Sequence, residues 1–245
     1  MIGPDSILRR LPSQLNRKQV LFFDGIRHAV EMIDLAHLRL QDTLTQIALS
    51  QNDTPPNQNA EFTWAFLDAW VIVDAIDRLR SLFHSMPNTK KENPPPPAKS
   101  FNELCQPIRD LRNVADHLAQ RADYVIANNG TALGELSWYT HLTDDGTKGV
   151  SCLIVPGTIA SRKSEVVIPA GGICTYPTGM IHLSAGGYRA CLSDLLPEVE
   201  KRVRALEAAV EQEIAKLGIE GQRAGADVCF KCTLMTTPEK IQDDQ

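Results

Sequence analysis

The sequence predicts a mainly α-helical protein, an up-and-down helical bundle with a small antiparallel β insertion before its last long helix. Three observations carry this reading. Apolar residues recur at three- and four-residue steps in four long segments. Between about 135 and 187 the period shortens to two, in brief runs separated by glycine, proline and aspartate. Helical periodicity then resumes, so the strands interrupt a helical protein rather than follow it.

The first helix is expected from about Arg17 to Ser50, where Val20, Phe23, Ile26, Val30, Ile33, Leu38, Leu40, Leu44 and Ile47 mark the apolar face. Asn-Asp-Thr-Pro-Pro-Asn then makes a loop before a second helix marked by Phe62, Phe66, Ala69, Trp70, Val73, Ile76, Leu79 and Phe83, which stops before Pro87. Residues 88–100 hold the run Pro94 to Pro97 and read as an extended connection, because proline cannot donate a backbone hydrogen bond. A third helix is expected from Asn102, as N-cap, to Asn128-Asn129-Gly130, with Pro107 near its first turn. Its apolar stripe is Leu104, Ile108, Leu111, Ala115, Leu118, Ala122 and Val125.

Strands are expected around Trp138, Thr140 and Leu142; Val150, Cys152 and Ile154; Val166 and Ile168; and Ile181 and Leu183. Pro169-Ala170-Gly171-Gly172 and Ser184-Ala185-Gly186-Gly187 read as hairpin turns. The closing helix is opened by Asp194, with Pro197 in its first turn, runs through Leu195, Val199, Val203, Leu206, Val210, Ile214 and Leu217, and is stopped by Gly218. The expected organisation is therefore a first bundle part over 1–130, a β-hairpin insertion over 135–187, a closing helix over 188–218 and a tail over 219–245.

At 245 residues and 43% hydrophobic content the chain can bury a full core. The opening residues show no basic segment followed by an apolar one, and no apolar run approaches membrane-spanning length, so a cytoplasmic protein without a membrane partner is expected. A net charge of −5 gives no global attraction to nucleic acid, and any such contact must be local. Six cysteines scattered along a mid-sized chain fit a reducing compartment.

The chemistry concentrates on the third helix. Arg112, Asn113, Asp116 and His117 crowd into two turns. An arginine can hold a phosphate and a histidine can move a proton near neutral pH, which is the minimum equipment for metal-free phosphodiester chemistry. On one ideal helix, however, positions five apart diverge by roughly 140°. A shared phosphate then requires a bent arginine, a distorted helix, or a second copy of the motif across a symmetric dimer. Arg112 with Asp116, and Asn113 with His117, are four apart and can touch directly.

Arg-Asn, three residues and His, set in a helix of a helical bundle, resembles the signature of the HEPN-domain superfamily. The resemblance covers the helices from about 17 to 127 and from 194 to 217, and leaves the sheet and tail outside it. It implies a metal-independent endoribonuclease in a prokaryotic toxin–antitoxin or antiviral setting. It also implies no cofactor, a homodimer through the third helix, RNA as substrate, and an antitoxin or defence-system protein as partner. By that resemblance Arg112 neutralises the scissile phosphate, His117 acts as general acid or base, Asn113 orients one of them, and Asp116 supports the set. The RNA 2′-hydroxyl would attack, leaving a 2′,3′-cyclic phosphate, and DNA would be inert.

Other readings stay open. The superfamily also contains non-catalytic scaffolds, so an interaction or sensor subunit on the same bundle is the alternative. A plain solvated face, with Arg112 paired to Asp116 or Asp110, would contribute only about 0.3–0.5 kcal/mol. His28, Glu31, Asp34 and His37 recur every three residues on the first helix, which admits a metal-binding bundle, although only Asp34-x-x-His37 approximates the carboxylate–histidine pattern. Asp74 and Asp77 on the second helix are either further metal ligands or partners for the third helix. Cys229-Phe230-Lys231-Cys232 has ligand-like spacing without a second pair nearby. No Gly-Lys-Ser/Thr phosphate loop and no Gly-x-Ser-x-Gly elbow is present.

Overall fold

The computed structural model describes residues 1–50, 58–87, 99–128, 130–157, 168–169, 177–219 and 227–232. Within them lie six α-helices and four strands: α1 (Arg17–Leu49), α2 (Gln58–Ser85), α3 (Phe101–Leu104), α4 (Gln106–Asp116), α5 (Ala122–Ala127), β1 (Glu135–His141), β2 (Gly149–Ile154), β3 (Thr178–Ala185), β4 (Tyr188–Cys191) and α6 (Leu192–Leu217). The protein is mainly helical with one small antiparallel sheet, as the periodicities predict. No helix among the described residues is long and apolar enough to cross a membrane.

The first helix starts where a capping box starts it. Asn16 Oδ1 accepts from the Gln19 backbone N–H at 2.9 Å, and the Gln19 side chain accepts from the Asn16 N–H at 3.2 Å. From there α1 continues unbroken for 33 residues. A Cβ on Gly25 would meet Leu82, and Arg39 pairs with Asp68, so α1 and α2 run antiparallel. Between them Ile26, Val30, Ile33, Leu40 and Leu44 pack with Phe66, Val73, Ile76 and Leu79, all fully buried. Each such side chain contributes about 1.5–3 kcal/mol on leaving water.

The sheet has the order β2-β1-β3-β4, every neighbour antiparallel. Leu136, Trp138 and Thr140 on β1, with Ile181, Leu183 and Ala185 on β3, alternate into the core. The sheet is fastened to α1 by polar groups as well. Gln41 Nε2 donates to the Thr178 carbonyl at 2.8 Å, and the hydroxyls of Thr45, Thr178 and Thr140 form a chain with steps of 2.7 and 2.8 Å. On its other side the sheet continues directly into α6, where Leu192, Val199 and Val203 are buried and Ser193 Oγ accepts from the Ile181 N–H at 3.1 Å.

Three expectations about the elements are corrected. The third helix is not continuous from Asn102 to 127. Ser100, not Asn102, is the N-cap, its hydroxyl accepting from Glu103 N–H in a capping box that opens only the one-turn α3. Pro107 then starts a second helix at its own first turn, where a missing N–H costs nothing. After Asp116 the chain leaves helical geometry, and α5 begins at Ala122. His-Leu-Ala-Gln-Arg contains no breaker, so the interruption comes from packing. Val114 and Val125 are buried, whereas Ala115 of the expected stripe is exposed.

The other two corrections concern the sheet. Its fourth strand is Tyr188–Cys191, inside the range expected for the closing helix, which begins at Leu192 with Cys191 as N-cap. Ile168 itself is not in a strand and its side chain is exposed, while the rest of that expected strand, Val166 included, lies outside the described residues, as do the proline run and Gly171-Gly172. Leu142 follows β1 and faces solvent. The expected turn at Gly186-Gly187 is present, both residues having positive φ, and Gly218 caps α6 in the left-handed region as expected.

That hairpin turn positions the motif helix. A Cβ on Gly186 would lie 2.9 Å from Val114 Cγ1, and one on Gly187 would meet Asn128 Oδ1 at 3.4 Å. Replacing Gly186 by alanine should therefore lower the urea midpoint by the equivalent of about 1–3 kcal/mol, combining left-handed strain with displacement of α4. An unchanged midpoint would mean that the turn is not seated on α4.

Candidate functional site

The fold brings α4 against α2. Ile108, Leu111 and Val114 bury one side of α4, which leaves Arg112 directed at the α2 positions Asp74 and Asp77, one helical turn apart. Arg112 Nη1 donates to Asp77 Oδ2 at 2.6 Å, Arg112 Nη2 lies 3.2 Å from Asp74 Oδ1, and Arg112 Nε lies 3.5 Å from Asp116 Oδ2. Asp77 uses its other oxygen on its own helix, Oδ1 accepting from Arg80 Nε at 2.8 Å. Arg80 reaches on to α3, Nη1 donating to Asn102 Oδ1 at 2.9 Å. Asp74 also accepts from Arg78 Nη2 at 2.8 Å.

The result is a formally neutral network of three arginines and three aspartates across α2, α3 and α4. Burial is uneven within it. The Asp77 side chain is 9% exposed, and the Arg112 side chain 35%. Burial alone would push the Asp77 carboxyl up, but the hydrogen bonds from Arg80 and Arg112 outweigh it and hold the group below the ordinary aspartate value. The Asp77 hydrogen bond likewise raises the Arg112 guanidinium further above its ordinary value.

His117 sits elsewhere. It is the C-cap of α4, with φ −117° and ψ 22°, and its exposed ring places Nδ1 3.1 Å from Gln120 Oε1. Among the described residues no hydrogen bond or ion pair joins His117 to Arg112 or to Asn113, which is half-buried. Of the predicted set, one chain brings together Arg112 and Asp116 and leaves Asn113 and His117 apart from them.

Asp74 and Asp77, one of whose sequence readings made them partners of the third helix, prove to be so. Arg80 was missed, although its three-residue spacing from Asp77 on a helix was a usable signal. The polar stripe on α1 is engaged in ion pairs: Glu31 lies 2.6 Å from Arg9 and 3.5 Å from Arg27, and Asp34 lies 2.8 Å from the Met1 amino group. His37 is half-buried, and the desolvation lowers its pKa. Among the described residues no group of three or more His, Cys, Asp and Glu side chains is placed to hold a metal ion.

Removing Arg112 should be felt through Asp77. Arg112→Ala leaves a buried carboxylate with one partner instead of two, and a loss of about 1–3 kcal/mol in chemical denaturation is expected, with Arg112→Lys recovering part of it. The pH dependence has a fixed sign. Because the folded-state pKa of Asp77 is depressed, its contribution is full above the unfolded value of about 3.9 and is lost as pH falls through the folded value. Asp77→Asn should flatten that part of the acid-unfolding curve; an unaltered acid limb would show that the carboxylate is not paired as described.

Comparison with known proteins finds no matching family model, no matching curated protein and no matching solved structure.

Proposed function

We propose that this chain is an HEPN-like helical protein acting as a non-catalytic interaction or sensor subunit, in which Arg112 ties α4 to α2. The observation that carries this is the state of the Arg112 guanidinium. Asp77 and Asp74 occupy its two Nη groups and Asp116 lies near Nε. A phosphodiester entering there would have to displace carboxylates from a neutral cluster and then sit beside them, which is electrostatically unfavourable. The resemblance in sequence supports the family part of this reading and the pairing of Arg112 supports the non-catalytic part.

A second reading, the metal-independent endoribonuclease, is favoured by a different observation. His117 is exposed just past the end of α4, its Nδ1 held 3.1 Å from Gln120 Oε1. In this version RNA is the substrate, and a second copy of α4 brings its own motif to complete the site in a toxin–antitoxin or antiviral role.

One experiment separates the two. The purified chain is incubated with single-stranded RNA in EDTA, and the ends are analysed for 2′,3′-cyclic phosphate, alongside His117→Ala and Asp74→Asn. The subunit reading expects no cleavage by any of the three proteins. Cleavage that disappears in His117→Ala and increases in Asp74→Asn, where a competing carboxylate is gone, would overturn it in favour of the nuclease.

A further inference from the structure

The segment from Asp227 to Cys232 has no regular secondary structure, yet one end of it is fastened. Asp227 accepts from Arg27 Nη2 at 2.7 Å and from Nη1 at 3.1 Å. This is a two-pronged pair with a guanidinium that α1 keeps 7% exposed. Beyond that tie the segment presents its reactive and apolar groups to solvent. Cys229 and Cys232 are both free and exposed, Val228 is 69% exposed and Phe230 93% exposed.

Two thiols three positions apart, both accessible, are half of a tetrahedral thiolate site for zinc, which takes four ligands. Among the described residues, the rest of the chain is poorly placed to supply the other half. Cys105 is buried in the core, Cys152 belongs to β2, and Cys191 caps α6. Cys174 lies outside the described residues. All six histidines are described, and none joins the pair in a group of three possible ligands. A second copy of the same segment supplies the two ligands that the described residues of one copy do not.

We propose that Cys229 and Cys232 from two copies of this chain bind one zinc ion between them, joining the chains through their C-terminal segments. Binding exchanges four thiol protons, released to buffer, for four sulfur–zinc bonds, and no electron changes hands. Zinc with four thiolates carries a net charge of −2, and the two Lys231 side chains between the ligand positions offset it. Val228 and Phe230, side chains that water disfavours, gain cover in the joint. The Asp227–Arg27 pair fixes where on α1 each half-site is displayed. This site is independent of the Arg112 network.

The test uses the full chain, reduced with a phosphine and titrated with zinc alone. Bound metal, molar mass by light scattering and the absorption of the cobalt-substituted protein are measured. The expected result is one zinc per two chains, a doubling of molar mass reversed by a strong chelator, and a cobalt spectrum with sulfur charge-transfer bands. Cys229→Ser with Cys232→Ser should lose all three while keeping the wild-type circular dichroism. One zinc per chain that is lost in Cys174→Ser would overturn the proposal, as would zinc-induced pairing that survives the double serine variant. So would a reduced chain that takes up no zinc and instead oxidises to an internal Cys229–Cys232 disulfide.

Discussion

A buried carboxylate shared between two arginines is the interaction on which the arrangement around the motif depends. Taking Asp77 out of water is costly, and the cost is offset only because Arg80 and Arg112 approach its two oxygens from different directions. The requirement propagates. Arg80 comes from α2 itself and also holds Asn102 of α3, and Arg112 comes from α4. Three helices are thereby fixed around one charge. A hydrophobic contact would hold them together without setting their register, whereas a two-oxygen clamp tolerates little rotation of α4.

The sheet supplies the opposing constraint. Gly186 at the β3–β4 turn packs against Val114, two residues beyond Arg112, so α4 is held between the carboxylates of α2 on one side and a glycine turn on the other. The far end of β3 is fastened to α1, where Gln41 and Thr45 bond to Thr178. The β insertion is therefore a layer of the core rather than an appendage. Its fourth strand passes into α6 with no intervening residue, which is why the insertion and the closing helix share their packing.

These constraints bear on what the motif can do. Arg112 is an anchored group, and its engagement with Asp77 and Asp74 couples any ligand at that position to the packing of α2 against α4. His117, one residue past the end of the helix, has no such anchor beyond Gln120. The arginine is thus clamped within the fold while the histidine of the same motif stays exposed. The Cys229–Cys232 segment, held through Asp227 to Arg27 of α1, exposes a different chemistry, two free thiols.

The sequence by itself determined the helices with strong three-to-four periodicity, α1, α2 and α6, because burying one face of a long helix leaves a regular record in the order of residues. It also determined the Gly186-Gly187 turn and the Gly218 cap, because left-handed backbone is nearly reserved for glycine. Tertiary structure alone decided the interruption after Asp116, where no residue breaks a helix, and the assignment of Tyr188–Cys191 to the sheet. It also decided between the two readings of Asp74 and Asp77, making them the partners of Arg112. Spacing along α4 offered Asp116 and Asp110, but the closer oxygens, Asp77 and Asp74, come from a helix some 35 residues earlier. Local spacing records what a helix face can touch on itself. Which face of another helix arrives opposite, and which charge it carries, is set by packing.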